Sequence, residues 1–527
     1  MNDLNQPSWL KSKGYLHVTA QIDVNKRAKE LVSKITNPDF VSKYAFFPLI
    51  HTNISERKFK KIGIDSTLRA HSYKNENGEF KKNKKVRPLH YATHLDALIF
   101  GYYAEVLQKK YEELISRCEG LGNCIIAYRK IFNELDGKNK GTIHFAKEIF
   151  DEIKKQSNCG DEECVVLTFD IKSFFSSLDH ELLKKAWAKL IDVSLLPDDH
   201  YNVFKAATQF SYIFLDDLRI KSKNESKKNG FDERDLARIR NKYGVQALFA
   251  NPKEFRDQVK NGSLKLYKYP FRDIKSKIPI GIPQGLPISA ILANLYLLSF
   301  DLHIFNTVVN KLGGYYRRYS DDIVIVCSKS NSTLIEGIIH SKIKENRVEI
   351  SVNKTERFIL KNIAFGKNTP RLTCLKMLEN GKEVCIPFNY LGFEFDGQKS
   401  LIKSTNIAKF YRRMISSVKS KAKKAKLIAE KNPGSKPVIF RRQLYKLYTT
   451  RPLNNVKVRN RWKKIVKMDN GNFRLVTIKK QKILRSNYLS YVQRACEIME
   501  EPHIAKQIRK HKKVFNDSIN RHLKNKD

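Results

Sequence analysis

Apolar positions along this chain follow two rhythms, and acidic residues stand where one of them breaks. The stretch Gly313–Cys327, GGYYRRYSDDIVIVC, reads as a hairpin. Tyr315 to Tyr319 make an aromatic and basic strand, Ser320-Asp321-Asp322 the bend, and Ile323 to Cys327 an apolar run that predicts a buried outgoing strand. Val165 to Asp170, VVLTFD, predicts a second buried strand that ends in an acid. Elsewhere the period is helical. It predicts helices over Val24–Ile35 (ended by Asn37-Pro38-Asp39), His94–Arg117, Lys140–Lys155 and Leu334–Glu345. From Pro287 onward Ile288, Ile291, Leu292, Leu295 and Leu298 share one helical face. Val348–Val352 predicts a strand. Beyond Ile402 the pattern is helical and basic: Ile407–Lys431, Val438–Tyr448, Ile478–Met499 and Ile504–His522.

Ser-Asp-Asp at a bend is, by itself, a common turn. The acid at the end of the Val165–Asp170 strand changes its meaning. Adjacent carboxylates repel, and burial penalises their charged forms. Three acids at the ends of neighbouring buried strands therefore point to a cation. They suit a pair of divalent ions about 3.5–4 Å apart, the arrangement of two-metal phosphoryl transfer.

The same residues resemble those of reverse transcriptases. Tyr319-Ser320-Asp321-Asp322 resembles that family's Tyr-x-Asp-Asp box, and Asp170-Ile171-Lys172-Ser173-Phe174-Phe175 its first catalytic box. Gly281-Ile282-Pro283-Gln284-Gly285-Leu286-Pro287-Ile288-Ser289 resembles the Pro-Gln-Gly box between them, in the family's order. The resemblance spans about residues 85–395. It implies an α+β right-hand polymerase: fingers and palm, then a basic all-α thumb-like region. The implied divisions are 1–85, an N-terminal extension and the start of the fingers; 86–395, fingers and palm; and 396–527, the helical thumb. It also implies that Asp170, Asp321 and Asp322, with the Ile171 carbonyl, hold two Mg²⁺ ions, Mn²⁺ being a substitute. The Lys-rich hairpin Lys74–Lys85 and Val86-Arg87 would cover the incoming nucleotide, with Arg87 and Lys85 or Lys82 on its phosphates. Phe175 stands at the steric gate that excludes a 2′-hydroxyl, which implies a DNA product. Gln284 would meet the nascent pair, and Lys354 in Asn353-Lys354-Thr355 would protonate leaving pyrophosphate. Tyr319, Arg129 in a second fingers box, and Tyr390 and Gly392 in a primer-grip box would contact template or primer. A turn of small residues at Gly281–Gly285 would let the base pair approach the backbone.

Charge widens the picture. The 527 residues carry a net charge of +46 with Lys and Arg throughout, which calls for a polyanionic partner. Residues 401–527 hold 35 Lys and Arg against 7 Asp and Glu. Arg412, Lys423, Arg442 and Lys463 represent the nucleic-acid surface expected there. The eight cysteines form no CxxC pair and are expected as free thiols of a reducing, cytoplasmic setting. No run of 18 apolar residues and no signal-peptide pattern occurs, so no membrane partner is expected. Within reverse transcriptases the chain is most similar to the bacterial abortive-infection and defence-associated group. That similarity implies an RNA template, a dedicated non-coding RNA being one candidate, with dNTPs and a DNA product. A retron-type enzyme, a template-independent DNA polymerase and a non-enzymatic nucleic-acid-binding protein are the alternatives. Intact acids at all three positions speak against the last. Primer chemistry and assembly with further copies of the chain stay open.

Overall fold

The computed structural model describes the chain except residues 1–5, 58–59, 62–68, 71, 75–77, 135–136, 222–227, 274–275, 365–368, 433, 449–455, 468–472, 485 and 524–527. Its main sheet has six strands in the order Tyr315–Tyr319, Asp322–Ser328, Cys164–Asp170, Glu356–Ile363, Arg371–Met377 and Glu383–Cys385. Cys164–Asp170 and Asp322–Ser328 are buried along almost their whole length, as their continuous apolar runs require of strands covered on both faces. Both predicted strands and the acid-tipped hairpin are therefore present.

By compactness the chain divides into two units: residues 1–129, 169–324 and 334–355, and residues 130–168, 325–333 and 356–527. The first holds a three-stranded sheet. In it Leu49–Arg57 pairs antiparallel with Lys84–Tyr91 and parallel with Tyr212–Phe214. The small hairpin Ser72–Lys74 with Phe80–Lys82 precedes the Lys84–Tyr91 strand. The helix His94–Ser116 starts on a Thr93 cap and buries His94, Asp96, Phe100, Tyr103 and Tyr111. Ser289–Tyr296 is buried at every position but Ala290, and Leu298–Ile304 continues into a π-helical turn over Phe305–Lys311. Two local expectations are revised here. The helix predicted over Val24–Ile35 is shorter, Ala28–Ile35, and ends as expected ahead of Asn37, whose side chain also caps a further helix, Pro38–Ser42, accepting from Asp39 and Phe40 N–H. Val348–Val352 makes only a single bridge, Ile350 to Ile171, before a 3₁₀ turn over Val352–Lys354.

The second unit contains Thr142–Gln156, a three-stranded sheet of Phe388–Tyr390, Phe393–Phe395 and Ser400–Ile402, and the helices beyond it. Ser404–Glu430 packs Phe410, Met414, Val418, Ala422 and Ala425 with Leu444, Phe515 and Ile519. Helices Arg441–Tyr448, Tyr488–Met499 and His511–Leu523 follow the predicted order. The region is helical but not all-α, which corrects the expectation for Ile478–Met499. Val456–Lys467 and Phe473–Leu484 pair antiparallel over twelve residues each. Val456, Val458 and Trp462 share one parity of the first strand and Ile478 is the register partner of Trp462, a two-residue period of β-branched and aromatic residues that favours a ribbon. The eight cysteines are free thiols, four of them buried. No single helix among the described residues is long and apolar enough to cross a membrane.

Candidate active site

Main-chain bonds bring the ends of the acid-bearing strands together. Ile171 N–H donates to Asp321 O (3.0 Å), and Ser351 N–H donates to Asp170 O (2.7 Å). The end of the Asp170 strand is thus tied to the carboxylate hairpin on one side and to the turn carrying Lys354 on the other. Ser320 lies in the left-handed region (φ 61°), which lets Asp321 and Asp322 follow at the tip. Burial first, then the Asp170 charge, pushes the Asp321 carboxyl above its usual range. Burial, then Asp321 and Asp170, raises Asp322 to about 6. Lys354 and Lys85 pull both back down. Asp322 is nevertheless solvent-reachable, so the repulsion is set in an open cleft where an ion can enter.

The Lys354 ammonium donates to the Asp170 carboxylate. Lys85 has its pKa lowered by burial and by Arg87 and Lys354, and is stabilised as a cation by Asp321 and Asp170. Two lysines thus provide positive charge where the acids repel. Among the described residues no three His, Cys, Asp or Glu side chains close on a single point as metal ligands do. Asp170 is engaged with Lys354 instead. The donor set is nevertheless hard oxygen, and two of its acids are held protonation-prone by burial and then by the neighbouring carboxylates, which fits a divalent cation.

The nucleotide-facing residues are gathered by the Gly281–Gly285 loop. Ile282 N–H donates to the Phe175 carbonyl (2.6 Å), and Gln284 O accepts from His90 N–H (2.8 Å). One loop therefore links the half-buried Phe175 to the strand carrying Lys85 and Arg87. Its glycines are needed for main-chain packing. A Cβ on Gly281 would sit 2.6 Å from the Ser176 backbone, and one on Gly285 would sit 2.4 Å from the His90 carbonyl. The close approach is to the protein's own main chain. Arg87 is half exposed and pairs with Glu56 at 3.3 Å, within reach of a competing anion. Tyr319 is half-buried; burial, then Tyr128 and Asp322, raises its hydroxyl pKa.

Three expected contacts change character. Arg129 is buried and fully engaged: Nε and Nη2 donate to the Glu112 carboxylate (2.9 and 2.6 Å), and Nη1 to the Gly122 and Ile125 carbonyls. With its fork satisfied inside the protein, it braces the fold and does not line a template site. The Tyr390 ring is buried and stacked on Phe388 (6.2 Å), so it is core rather than a primer contact. Gly392 is the second of two left-handed residues, after Leu391, in a tight turn (φ 43° and 93°). Its carbonyl accepts from Lys403 N–H at 2.9 Å. Arg412 and Lys423 are exposed on Ser404–Glu430. Arg442 lies on Arg441–Tyr448 and Lys463 on the Val456–Lys467 strand, so Lys463 is not helical. The side chains of both lie outside the described residues.

One site component went unread in the sequence. Arg318 and Asp301 are fully buried and joined by two bonds, Nε–Oδ1 at 2.7 Å and Nη2–Oδ2 at 2.6 Å. Tyr316 OH donates to the same Asp301 Oδ1 (2.6 Å). Arg318 Nη1 donates to the Ser320 carbonyl (3.1 Å), and the Tyr128 hydroxyl donates to Ser320 Oγ (3.2 Å). The carboxylate turn is held from behind by a satisfied ion pair. Burial works against the guanidinium charge, and Asp301 more than restores it. The readable signal was a lone acid, Asp301, within the apolar run LYLLSFDLHIF.

The pH response of the site follows from these shifts. A carboxyl raised to about 6 is protonated below that value, and a metal must displace the proton. Divalent-ion affinity is expected to be flat above pH 7 and to fall about tenfold per unit below about 6. Titrating Mn²⁺ by calorimetry between pH 5 and 8 checks this; pH-independent affinity would show that Asp322 takes no part.

Residues 263–395 match the family described as reverse transcriptase (RNA-dependent DNA polymerase). That range includes Gln284, Asp321, Asp322 and Lys354 but not Asp170 or the strand of Arg87. No curated protein matches the sequence. Among solved structures, apo telomerase from Candida tropicalis, truncated from its C-terminal domain, is similar at 11% identity and TM-score 0.36, covering 62% of this chain and 53% of its own. Telomerase from Candida albicans, in complex with a fragment of telomeric RNA, is similar at 12% identity and TM-score 0.34, covering 74% and 52%. The chain thus spans about half the length of either telomerase. With the mixed α/β sheet, the acid-tipped hairpin and the family match over residues 263–395, the chain carries a reverse transcriptase domain.

Proposed function

We propose that the chain is an RNA-directed DNA polymerase that adds deoxynucleotides to a 3′-hydroxyl and releases pyrophosphate. The observation that carries this reading is the meeting of the Asp170 strand end with the Asp321–Asp322 turn, where the acids feel one another's charge, beside Phe175, which the Gln284 loop ties to the strand of Lys85 and Arg87. In the reaction the 3′-oxygen bonds to the α-phosphorus as the bond to the β-phosphate oxygen breaks. Asp170, Asp321, Asp322 and the Ile171 carbonyl would hold two Mg²⁺ ions, which supply an activated 3′-oxygen and charge compensation for pyrophosphate. Arg87 exchanges its Glu56 partner for triphosphate oxygens, to which a planar guanidinium is well matched. Lys354 donates to the Asp170 carboxylate, and with that carboxylate holding a metal it would be free to give a proton to the leaving group. The motif resemblance supports a role in bacterial antiviral defence with a bound RNA as template. Primer extension on an RNA template by purified protein, with dNTPs and Mg²⁺, tests the activity. Loss of phage protection in an Asp321→Ala strain tests the setting.

Sugar choice gives a sharper test. Phe175 is half-buried, backed by Phe174 (ring centroids 5.7 Å apart) and fixed to Ile282 through its carbonyl. Its ring is thereby held in place rather than free to retreat. Phe175→Val is expected to raise ribonucleotide incorporation relative to deoxynucleotide by about 10- to 100-fold, the cost of relieving a steric clash of ~1–3 kcal/mol. Single-turnover incorporation of dCTP and CTP measures the ratio. An unchanged ratio in a variant that still polymerises would remove Phe175 from the gate.

A further inference from the structure

We propose that a cavity in the second unit binds an unpaired nucleotide of the nucleic acid, its base against Tyr411 and its phosphates on Lys506, Arg509 and Lys510. The cavity has a volume of about 410 Å³ and is lined by those four residues with Gln507 and Val514. That lies within the range of about 300–1,000 Å³ usual for small-ligand sites. The inference rests on the polymerase reading for its partner and adds a recognition site remote from the carboxylates in sequence.

Chemistry selects the occupant. Three cations lie within five residues, and no acid lines the cavity. Helix Ser404–Glu430, which carries Tyr411, has Glu430 as its single acid, at its far end. The exposed Arg412 and Arg413 extend the positive surface beside Tyr411. Such a site takes an anion with several oxygens, as phosphates offer. Tyr411 and Val514 add an aromatic and an apolar wall, which a bare phosphate or an acidic peptide does not need and a base does.

The walls are preorganised. The Gln507 side chain both donates to Ile402 O and accepts from Ile402 N–H, at 3.0 Å each. His511 Nδ1 lies 2.7 Å from the Ile508 carbonyl. The Tyr411 ring meets Phe410 at 5.3 Å, and Phe410 belongs to the buried cluster with Met414 and Phe515. The cationic segment and the aromatic wall are thus each anchored, while Lys506, Arg509 and Lys510 stay exposed.

The test uses the full chain in EDTA without dNTPs, so that polymerisation plays no part. A fluorescein-labelled 20-nucleotide adenine-rich RNA is titrated by anisotropy across a KCl series, with a 2-aminopurine version reporting stacking. Tyr411→Leu is expected to weaken binding by about 5- to 100-fold and to abolish the stacking quench, while Tyr411→Phe retains both. Converting Lys506, Arg509 and Lys510 together to Gln is expected to flatten the log–log salt slope by about 2. The same change at Lys189, Lys205 and Lys253 should leave the slope near that of the native chain. Wild-type affinity in Tyr411→Leu, an unchanged slope in the cavity triple variant, or equal losses in the control would overturn the proposal. So would tighter binding of free 2-aminopurine riboside triphosphate than of the RNA. Melting curves accompany each variant; the cavity triple variant alters only exposed side chains and decides the matter should Tyr411→Leu unfold. A chain that binds as expected yet extends no primer would sink the polymerase reading and leave this one standing.

Discussion

Asp321→Ala is expected to abolish deoxynucleotide incorporation, and Asp170→Asn to do the same. Each removes a charged ligand whose loss forfeits several kcal/mol of transition-state stabilisation, at least about 10³-fold in rate. Stability should move the other way. The Asp321 carboxyl is raised in the folded protein, so ionising it costs more there than in the unfolded chain. Folding free energy tied to this group is therefore lost as pH rises above its unfolded value, and removing the carboxylate restores it at pH 7. Asp321→Ala should thus melt at or above the native temperature in metal-free buffer. Asp170 differs, because Lys354 is its partner, and Asp170→Asn leaves that ammonium without its counter-charge. Primer extension with melting curves on the same preparations checks both. Residual synthesis within tenfold of the native rate by Asp321→Ala would overturn the site assignment.

The second large effect is expected at Arg318, which touches neither substrate nor metal and acts by holding the Ser320 carbonyl. Arg318→Lys keeps a cation for Asp301 but cannot keep both oxygens of that carboxylate and Ser320. Its fold should survive while kcat falls by about 10- to 100-fold, the cost of misplacing catalytic groups through their supports. The KM for dNTP should change little, and more Mg²⁺ should be needed for half-maximal rate. Arg318→Met leaves the Asp301 charge buried and unpaired, at a cost of about 3–5 kcal/mol. Arg318→Met combined with Asp301→Leu should recover that stability without recovering activity. A double variant that is both stable and fully active would show the pair to be mere filling.

What was legible in the sequence was local. The carboxylate hairpin and the strand before Asp170 carry their rhythm within a dozen residues, so apolar runs interrupted by acids sufficed. The Arg318 pair was not legible in that way. A charged residue in a strand reads as solvent-facing, and only its shared parity with the buried Tyr316 hints otherwise. Arg129 misled for a similar reason: a basic residue beside a tyrosine suggests nucleic acid, but Glu112, seventeen residues earlier, claims it in three dimensions. The far side of the Val456–Leu484 ribbon reads as helix in the sequence because Ile478, Ile483 and Leu484 fit either period, and strong basicity obscures alternation. The loop glycines are legible as a turn, but the main-chain packing that requires them is not, since their neighbours, Ser176 and His90, are distant in sequence.

The order of the main sheet has a consequence for how the protein is made. Cys164–Asp170 lies between Asp322–Ser328 and Glu356–Ile363, both of which leave the ribosome far later. At about 5–20 residues per second, the ~150 residues up to its first partner take some 8–30 s to synthesise. During that interval an apolar segment meant to be covered on both faces has neither neighbour in the sheet. The nascent chain is accordingly most vulnerable to aggregation between these two moments, and slowed translation across residues 171–321 should lower the yield of folded protein more than the same delay after residue 363.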